Sequence, residues 1–294
     1  MELQPVDPPL VVASLLFLGM LAVSLLLWIR HLRRPQPSVT LETGIAAWPI
    51  GWVNFGIFVC TLVVTIVVAQ VIVVTLFFGE APDPDSPREL TPSLAVVAVL
   101  LLQLPMLAAF YGLRRFYPAH FAGRLNDRTL RPTSAFAQAL PLFIRYLPII
   151  WLGALIWGGL LGALEAAGLI EGAEPQEIIS LFRNGGDPLA IGLLVVFAVV
   201  LAPIVEEIIF RGCLYRFLKS QTTRLPAQLL SGALFALIHL NLFSFLPLLL
   251  VGVLLARVYE RSGNLLVPIW FHAFFNGFSL LMLYVTSLSE FVPQ

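Results

Sequence analysis

Residues 187–212 read DPLAIGLLVVFAVVLAPIVEEIIFRG. No charge follows Asp187 until Glu206, and a run of that length and polarity reads as a membrane span. At its end stand two adjacent carboxylates, Glu206 and Glu207, with Arg211 four residues after the second. Charged groups cost several kcal/mol in hydrocarbon unless they are paired or face a polar cavity. The segment therefore fixes a membrane setting and raises the question of what three charges do at its edge.

The rest of the chain has the same character. Of its 294 residues 59% are hydrophobic and 12% charged, with a mean hydropathy of +0.92. A soluble domain is nearer half apolar and a quarter charged. Apolar runs predict an all-α, polytopic integral membrane protein with about eight transmembrane helices, near 9–29, 53–78, 92–113, 146–168, 189–210, 227–243, 244–258 and 265–286. The sixth and seventh have the least polar punctuation between them. Three regions follow: an anchor span and linker at 1–46, the second and third spans with their loops at 47–133, and a membrane domain of the remaining spans at 134–294.

Lys and Arg collect in cytoplasmic loops. Arg30, Arg33 and Arg34 follow the first span, and Arg114, Arg115, Arg124, Arg128 and Arg131 follow the third. Arg211, Arg216, Lys219 and Arg224 follow the fifth, and Arg257 and Arg261 the seventh. The opposite loops hold Arg88 and Arg183 among Glu80, Asp83, Asp85, Glu89, Glu171, Glu174, Glu177 and Asp187. Arg145 sits at a span entrance. This layout predicts both termini outside the cytoplasm, in the cell membrane if the source is prokaryotic. The first apolar segment is preceded by Glu2 and Asp7 and followed by its bases, the reverse of a secretory signal, so it reads as a retained anchor. The formal net charge is zero, and no basic or aromatic-interleaved patch points to nucleic acid. Cys60 lies mid-span and Cys213 at a span edge, so no disulfide framework is expected.

Polar groups inside the apolar runs cluster in the last third: Glu206, Glu207 and Arg211, then His239 in LFALIHL, then His272 and Asn276 in FHAFFNGF. Spacing limits how they cooperate. His272 and Asn276, at i and i+4, share one helix face, as do Glu207 and Arg211, which stand in the favourable order for an ion pair. Glu206 points about 100° away from Glu207. The economical arrangement neutralises Glu207 through Arg211 and leaves Glu206 facing the polar cluster.

A carboxylate partly withdrawn from water is a competent general base toward water. A neighbouring histidine shares and orients that water, and Asn and His side chains are donors suited to a developing oxyanion. The set describes hydrolysis of an amide by activated water, without a covalent intermediate. Each group also has a structural reading: a lone buried histidine is more often a packing residue, buried polar side chains join spans, and long charged side chains snorkel. Six such groups on three nearby spans exceed what joining requires.

The ordered motifs APIVEEIIFRG, FALIH and HAFFN resemble those of the CAAX-protease and bacteriocin-processing (CPBP, or Abi) family of intramembrane glutamic proteases. They place Glu206-Glu207 with Arg211, Phe235 with His239, and His272 with Asn276, within about residues 198–280. The resemblance implies an eight-helix membrane fold, Glu206 as general base, His239 assisting with the water, and His272 with Asn276 as oxyanion hole. Glu207 and Arg211 become supporting residues, and no metal or other cofactor is implied. The implied partners are the bilayer and a peptide or protein substrate. Nothing in the residues decides whether that substrate is lipid-modified.

Other chemistries compete. Two histidines and a glutamate can hold a catalytic zinc, although no HExxH signature is present. Ser231, Ser279 and Cys213 lie in no recognisable nucleophile motif, and Ser231 is on the same helix as His239, two turns away. Intramembrane Glu and His also build proton relays, but no paired broken helices or inverted symmetry suggest a transporter. A non-catalytic binding or immunity protein is the remaining alternative. Geometry sets a condition on the hydrolytic reading. His239 lies roughly 20 Å past Pro226 along an ideal helix, so it meets Glu206 only if the sixth span starts below the interface or tilts strongly. The cavity would then open toward the cytoplasm.

Overall fold

The computed structural model describes residues 8–33, 44–75, 91–121, 123–172, 181 and 186–290. The charges expected in the loops at Arg34, Glu80, Asp83, Asp85, Arg88, Glu89, Glu174, Glu177 and Arg183 lie outside the described residues. Among the described residues every regular element is helical: α1 (Pro8–Arg33), α2 (Trp52–Val73), α3 (Pro92–Phe116), the single turn α4 (Pro118–Phe121), α5 (Pro132–Ala166), α6 (Pro188–Gln221), α7 (Arg224–Leu237), α8 (Phe245–Ser262) and α9 (Leu266–Glu290).

Six of these, α1, α2, α3, α5, α6 and α9, are long and apolar enough to cross a membrane, which makes the chain an all-α polytopic membrane protein. The expected count of eight spans is not reached by that measure. α7 has 14 residues, roughly 21 Å, against an apolar layer of about 30 Å. α8 is long enough but carries Arg257, Glu260 and Arg261 near its end. The fourth expected span also begins too late at 146, because α5 starts at Pro132. Its first turns, PTSAFAQALPLFIR, are too polar to read as lipid-facing, yet Ala135, Ala139 and Phe143 form a buried stripe at helical spacing.

Local chemistry sets several ends. Pro92 and Pro188 occupy the first turns of α3 and α6, where a missing N–H is harmless. The Thr91 Oγ1 accepts from Leu94 N at 3.2 Å, and the Asp187 Oδ1 from Leu189 N at 3.0 Å. α8 stops at Gly263, whose φ of 64° lies in the left-handed region that glycine enters freely. α6 is continuous but locally π-helical at Phe197–Leu201 and again at Glu207–Tyr215. Pro203 lies between the two, and its ring and missing N–H disturb the regular ladder beside it.

Three sets of contacts tie the helices together. Glu260 of α8, 1% exposed, accepts from Tyr215 Oη at 2.8 Å and pairs with Lys219 at 2.7 Å and Arg224 at 2.9 Å. Trp157 Nε1 of α5 donates to Leu242 O at 2.8 Å, bracing the turn between α7 and α8. On α1, Ser24 and Trp28 donate to the Arg145 carbonyl at 3.1 and 2.9 Å, while Phe17 stacks on Trp151.

α7 and α8 approach most closely at Gly232 and Gly252. A Cβ on Gly252 would stand 2.7 Å from the Gly232 Cα, and one on Gly232 2.8 Å from Val253 N. Backbone contact of this kind is how membrane helices associate where apolar burial gives no advantage over lipid. Gly252→Ala should therefore destabilise the detergent-solubilised protein by about 1–3 kcal/mol in thermal unfolding. Gly56→Ala, with no atom within 4 Å of the added carbon, should leave stability unchanged or slightly raised.

Candidate active site

The site grows from the second π-helical stretch of α6. Glu207 and Arg211 are both 0% exposed, and the Arg211 Nη1 donates to Glu207 Oε1 at 2.9 Å. The guanidinium reaches further, donating from Nη2 to the Gly252 carbonyl of α8 at 3.1 Å and lying 4.6 Å from the ring centroid of Phe235 on α7. A close backbone at Gly252 is what brings that carbonyl within range.

Glu207 has a second partner. His272 of α9 places its Nδ1 at 2.9 Å from the same Oε1. A carboxylate that already accepts from Arg211 has only lone pairs to offer, so the Nδ1 of His272 carries the proton and donates. The ring's other nitrogen, Nε2, faces Glu206, whose Oε2 is 3.8 Å away: inside charge-pairing range but beyond a hydrogen bond. Glu207 Oε2 has no hydrogen-bond partner among the described residues.

Glu206, one residue earlier, has a different environment. Its side chain is 14% exposed and opens on a cavity of about 440 Å³. The same cavity is lined by His239, His272 and Asn276, with Phe235 between the two imidazoles at ring separations of 4.9 and 5.7 Å. Val99, Leu194, Phe243, Phe275 and Leu280 supply apolar wall. All the residues singled out from the sequence are thus brought together, either on this cavity or directly behind it.

Two placements differ from expectation. His239 is not within a spanning helix but on the turn that follows α7, where Leu240 takes a left-handed φ of 48° and Asn241 Oδ1 accepts from Ser244 N at 2.8 Å. His239 nevertheless lines the same cavity as Glu206. The ring's Nδ1 donates to the Phe235 carbonyl at 2.7 Å, an oxygen that can only accept, so Nε2 is the nitrogen left to take a proton or a hydrogen bond. Asn276 is also partly engaged. Its Nδ2 donates to the Ala198 carbonyl at 2.8 Å, in the first π-helical stretch of α6.

One residue escaped the inventory of polar groups. Gln103 of α3, 4% exposed, donates from Nε2 to Glu206 Oε1 at 3.2 Å and lines the cavity. Its signal was present in LLLQLPM, a lone amide between leucines in an apolar helix, but the amide carries no charge to draw notice. Of the alternative nucleophiles, Ser231 is fully buried with its hydroxyl toward the Phe210 carbonyl, and Cys213 is buried elsewhere. Ser279 lines the cavity. Among the described residues no three His, Cys, Asp or Glu side chains are grouped as metal ligands.

Residues 188–278 match the model of a family described as type II CAAX prenyl endopeptidase Rce1-like. The matches support membership of the CAAX-protease (CPBP) family. A Bacillus subtilis (strain 168) protein described as "Putative membrane peptidase YdiL" is 32% identical over 93 residues, covering 32% of this chain and 38% of that protein. The alignment thus spans well under half of that relative's length. No solved structure matches the chain. The matched stretch holds α6 through most of α9, and with them every residue named at the site except Val99 and Gln103 on α3 and Ser279 and Leu280 on α9.

The ion pair behind the cavity makes a direct prediction. Arg211→Met removes the counter-charge of a wholly buried carboxylate and should cost about 3–5 kcal/mol in thermal unfolding. Adding Glu207→Gln to that variant should restore part of the loss, because the amide needs no counter-charge.

Proposed function

We propose that the protein is an intramembrane endopeptidase in which Glu206 activates water for attack on a peptide bond. The observation that carries this reading is the division of labour between two neighbouring carboxylates. Glu207 is bound to Arg211 and His272, while Glu206 faces a cavity shared with His239, His272 and Asn276.

In this mechanism a water stands between Glu206 and His239. Glu206 Oε2 takes one hydrogen, and the free Nε2 of His239 accepts a hydrogen bond from the other, which aims the oxygen lone pair at the substrate carbonyl. As the C–O bond forms, the carbonyl π pair moves to oxygen. His272 and Asn276 hold the resulting oxyanion. Because the Nδ1 proton of His272 goes to Glu207, the ring donates to the oxyanion from Nε2 only when it carries both protons. Asn276 retains one N–H beyond its bond to Ala198. Collapse of the tetrahedral intermediate breaks the C–N bond, and the protonated Glu206 returns its proton to the leaving amine. Water is the only co-reactant.

The substrate is a peptide or protein chain. The apolar wall at Val99, Leu194, Phe243, Phe275 and Leu280 suits an apolar stretch or a lipid-modified one beside the scissile bond.

Cleavage of quenched peptides, prenylated and unprenylated, by the purified protein in detergent tests the assignment. Loss of a general base removes about 10²–10⁴-fold in rate, so Glu206→Gln should fall by at least ~100-fold and His239→Ala should fall strongly, with wild-type activity unaffected by a zinc chelator. Activity that persists in Glu206→Gln would defeat the assignment. Activity abolished by chelation and restored by zinc would turn the same side chains into metal ligands.

A further inference from the structure

We propose that Gln103 is the positioning residue of Glu206: its amide N–H holds one carboxylate oxygen, so that the other is the one presented to water. This rests on reading Glu206 as the base. The contact joins α3 to α6 across 103 residues of sequence, with Gln103 Nε2 3.2 Å from Glu206 Oε1.

Three features support a specific role over simple packing. Gln103 is 4% exposed, and its Oε1 has no hydrogen-bond partner among the described residues. A buried acceptor left unanswered is unfavourable, and methionine or leucine would fill the same space without that cost. The amide is thus present for its one donated bond.

The bond also makes the two oxygens of Glu206 unequal. Oε1 is occupied by Gln103, whereas Oε2 faces His272 Nε2 at 3.8 Å without a hydrogen bond. The groups around Glu206 are Gln103 on α3, His272 on α9 and His239 across the cavity, with Glu207 and Arg211 on its own helix. Of these, Gln103 alone makes a direct hydrogen bond to the carboxylate. A side chain held at one oxygen cannot rotate both away from the water.

The third feature is location. α3 lies outside the matched stretch 188–278, so the carboxylate depends for its orientation on a helix the family match does not include. The amino-terminal part of the chain therefore completes the site.

Gln103→Met, which keeps length and approximate volume but cannot donate, is the test variant, with Gln103→Leu beside it. Two readouts are taken on monodisperse protein in detergent. In peptide cleavage, kcat should fall roughly 10- to 100-fold with KM little changed, the size typical for loss of a partner that orients a reacting group. In infrared spectra, the Glu206 carboxylate band is isolated as the difference between wild type and Glu206→Gln, and it should shift in both Gln103 variants. An unchanged kcat, or a loss confined to KM or to the folded fraction, would overturn the proposal, as would an unmoved band. The infrared measurement needs no substrate. If wild-type protein cuts no peptide, the peptidase reading fails on that result, while the band still decides whether Gln103 holds Glu206.

Discussion

The Glu207–Arg211 pair is the constraint from which the site is built. Neither ion touches solvent, and in such a place an ion pair gains little over apolar packing unless its remaining hydrogen-bonding capacity is used. Arg211 uses it to reach Gly252 and the face of Phe235; Glu207 uses it to take the Nδ1 proton of His272. Two charges on one turn of α6 thereby fix the positions of α7, α8 and α9. The arrangement answers the question posed by the sequence, since Glu207 and Arg211 neutralise one another and only Glu206 is left facing open space.

Close helix approach follows from the same demand. The Arg211 fork can meet a main-chain carbonyl only where no side chain intervenes, and Gly252 provides that gap while Gly232 lets α7 lie against it. The irregular turns of α6 serve a parallel purpose. Carbonyls released from an ordinary i→i+4 ladder need other donors, and Asn276 supplies one at Ala198, pinning α9 to α6 one helical turn beyond His272. Each tie therefore satisfies a polar group that the bilayer would otherwise leave without a partner.

How much of this the sequence carried depends on the range of each interaction. Helical class and the pairing of Glu207 with Arg211 are local properties of composition and of residues four apart, and both could be read directly. The sharing of one face by His272 and Asn276 was legible for the same reason. What hydropathy could not reveal was the turn after α7. The run HLNLFSFLPLLL has no polar break strong enough to signal an end, yet Asn241 and the left-handed Leu240 close the chain there and lift His239 out of the helix. The early start of α5 was hidden by the opposite effect, a helix whose first turns are too polar for lipid but still bury Ala135, Ala139 and Phe143. Gln103 was illegible as a partner because nothing near it in sequence points to Glu206; only tertiary packing of α3 against α6 brings the two together.

That last contact bears on how function is distributed along the chain. The stretch 188–278 contains the charged and imidazole groups, so a search for motifs finds the site there and nowhere else. A carboxylate, however, acts through its orientation as well as its identity. Glu207 is oriented by partners within the stretch, from α6 and α9, whereas Glu206, deprived of Arg211 by that pairing, has its direct hydrogen bond from α3. With Arg211 committed to Glu207, the exposed carboxylate takes its hydrogen bond from a donor elsewhere in the fold. The ion pair that frees Glu206 thus also creates the need that Gln103 meets.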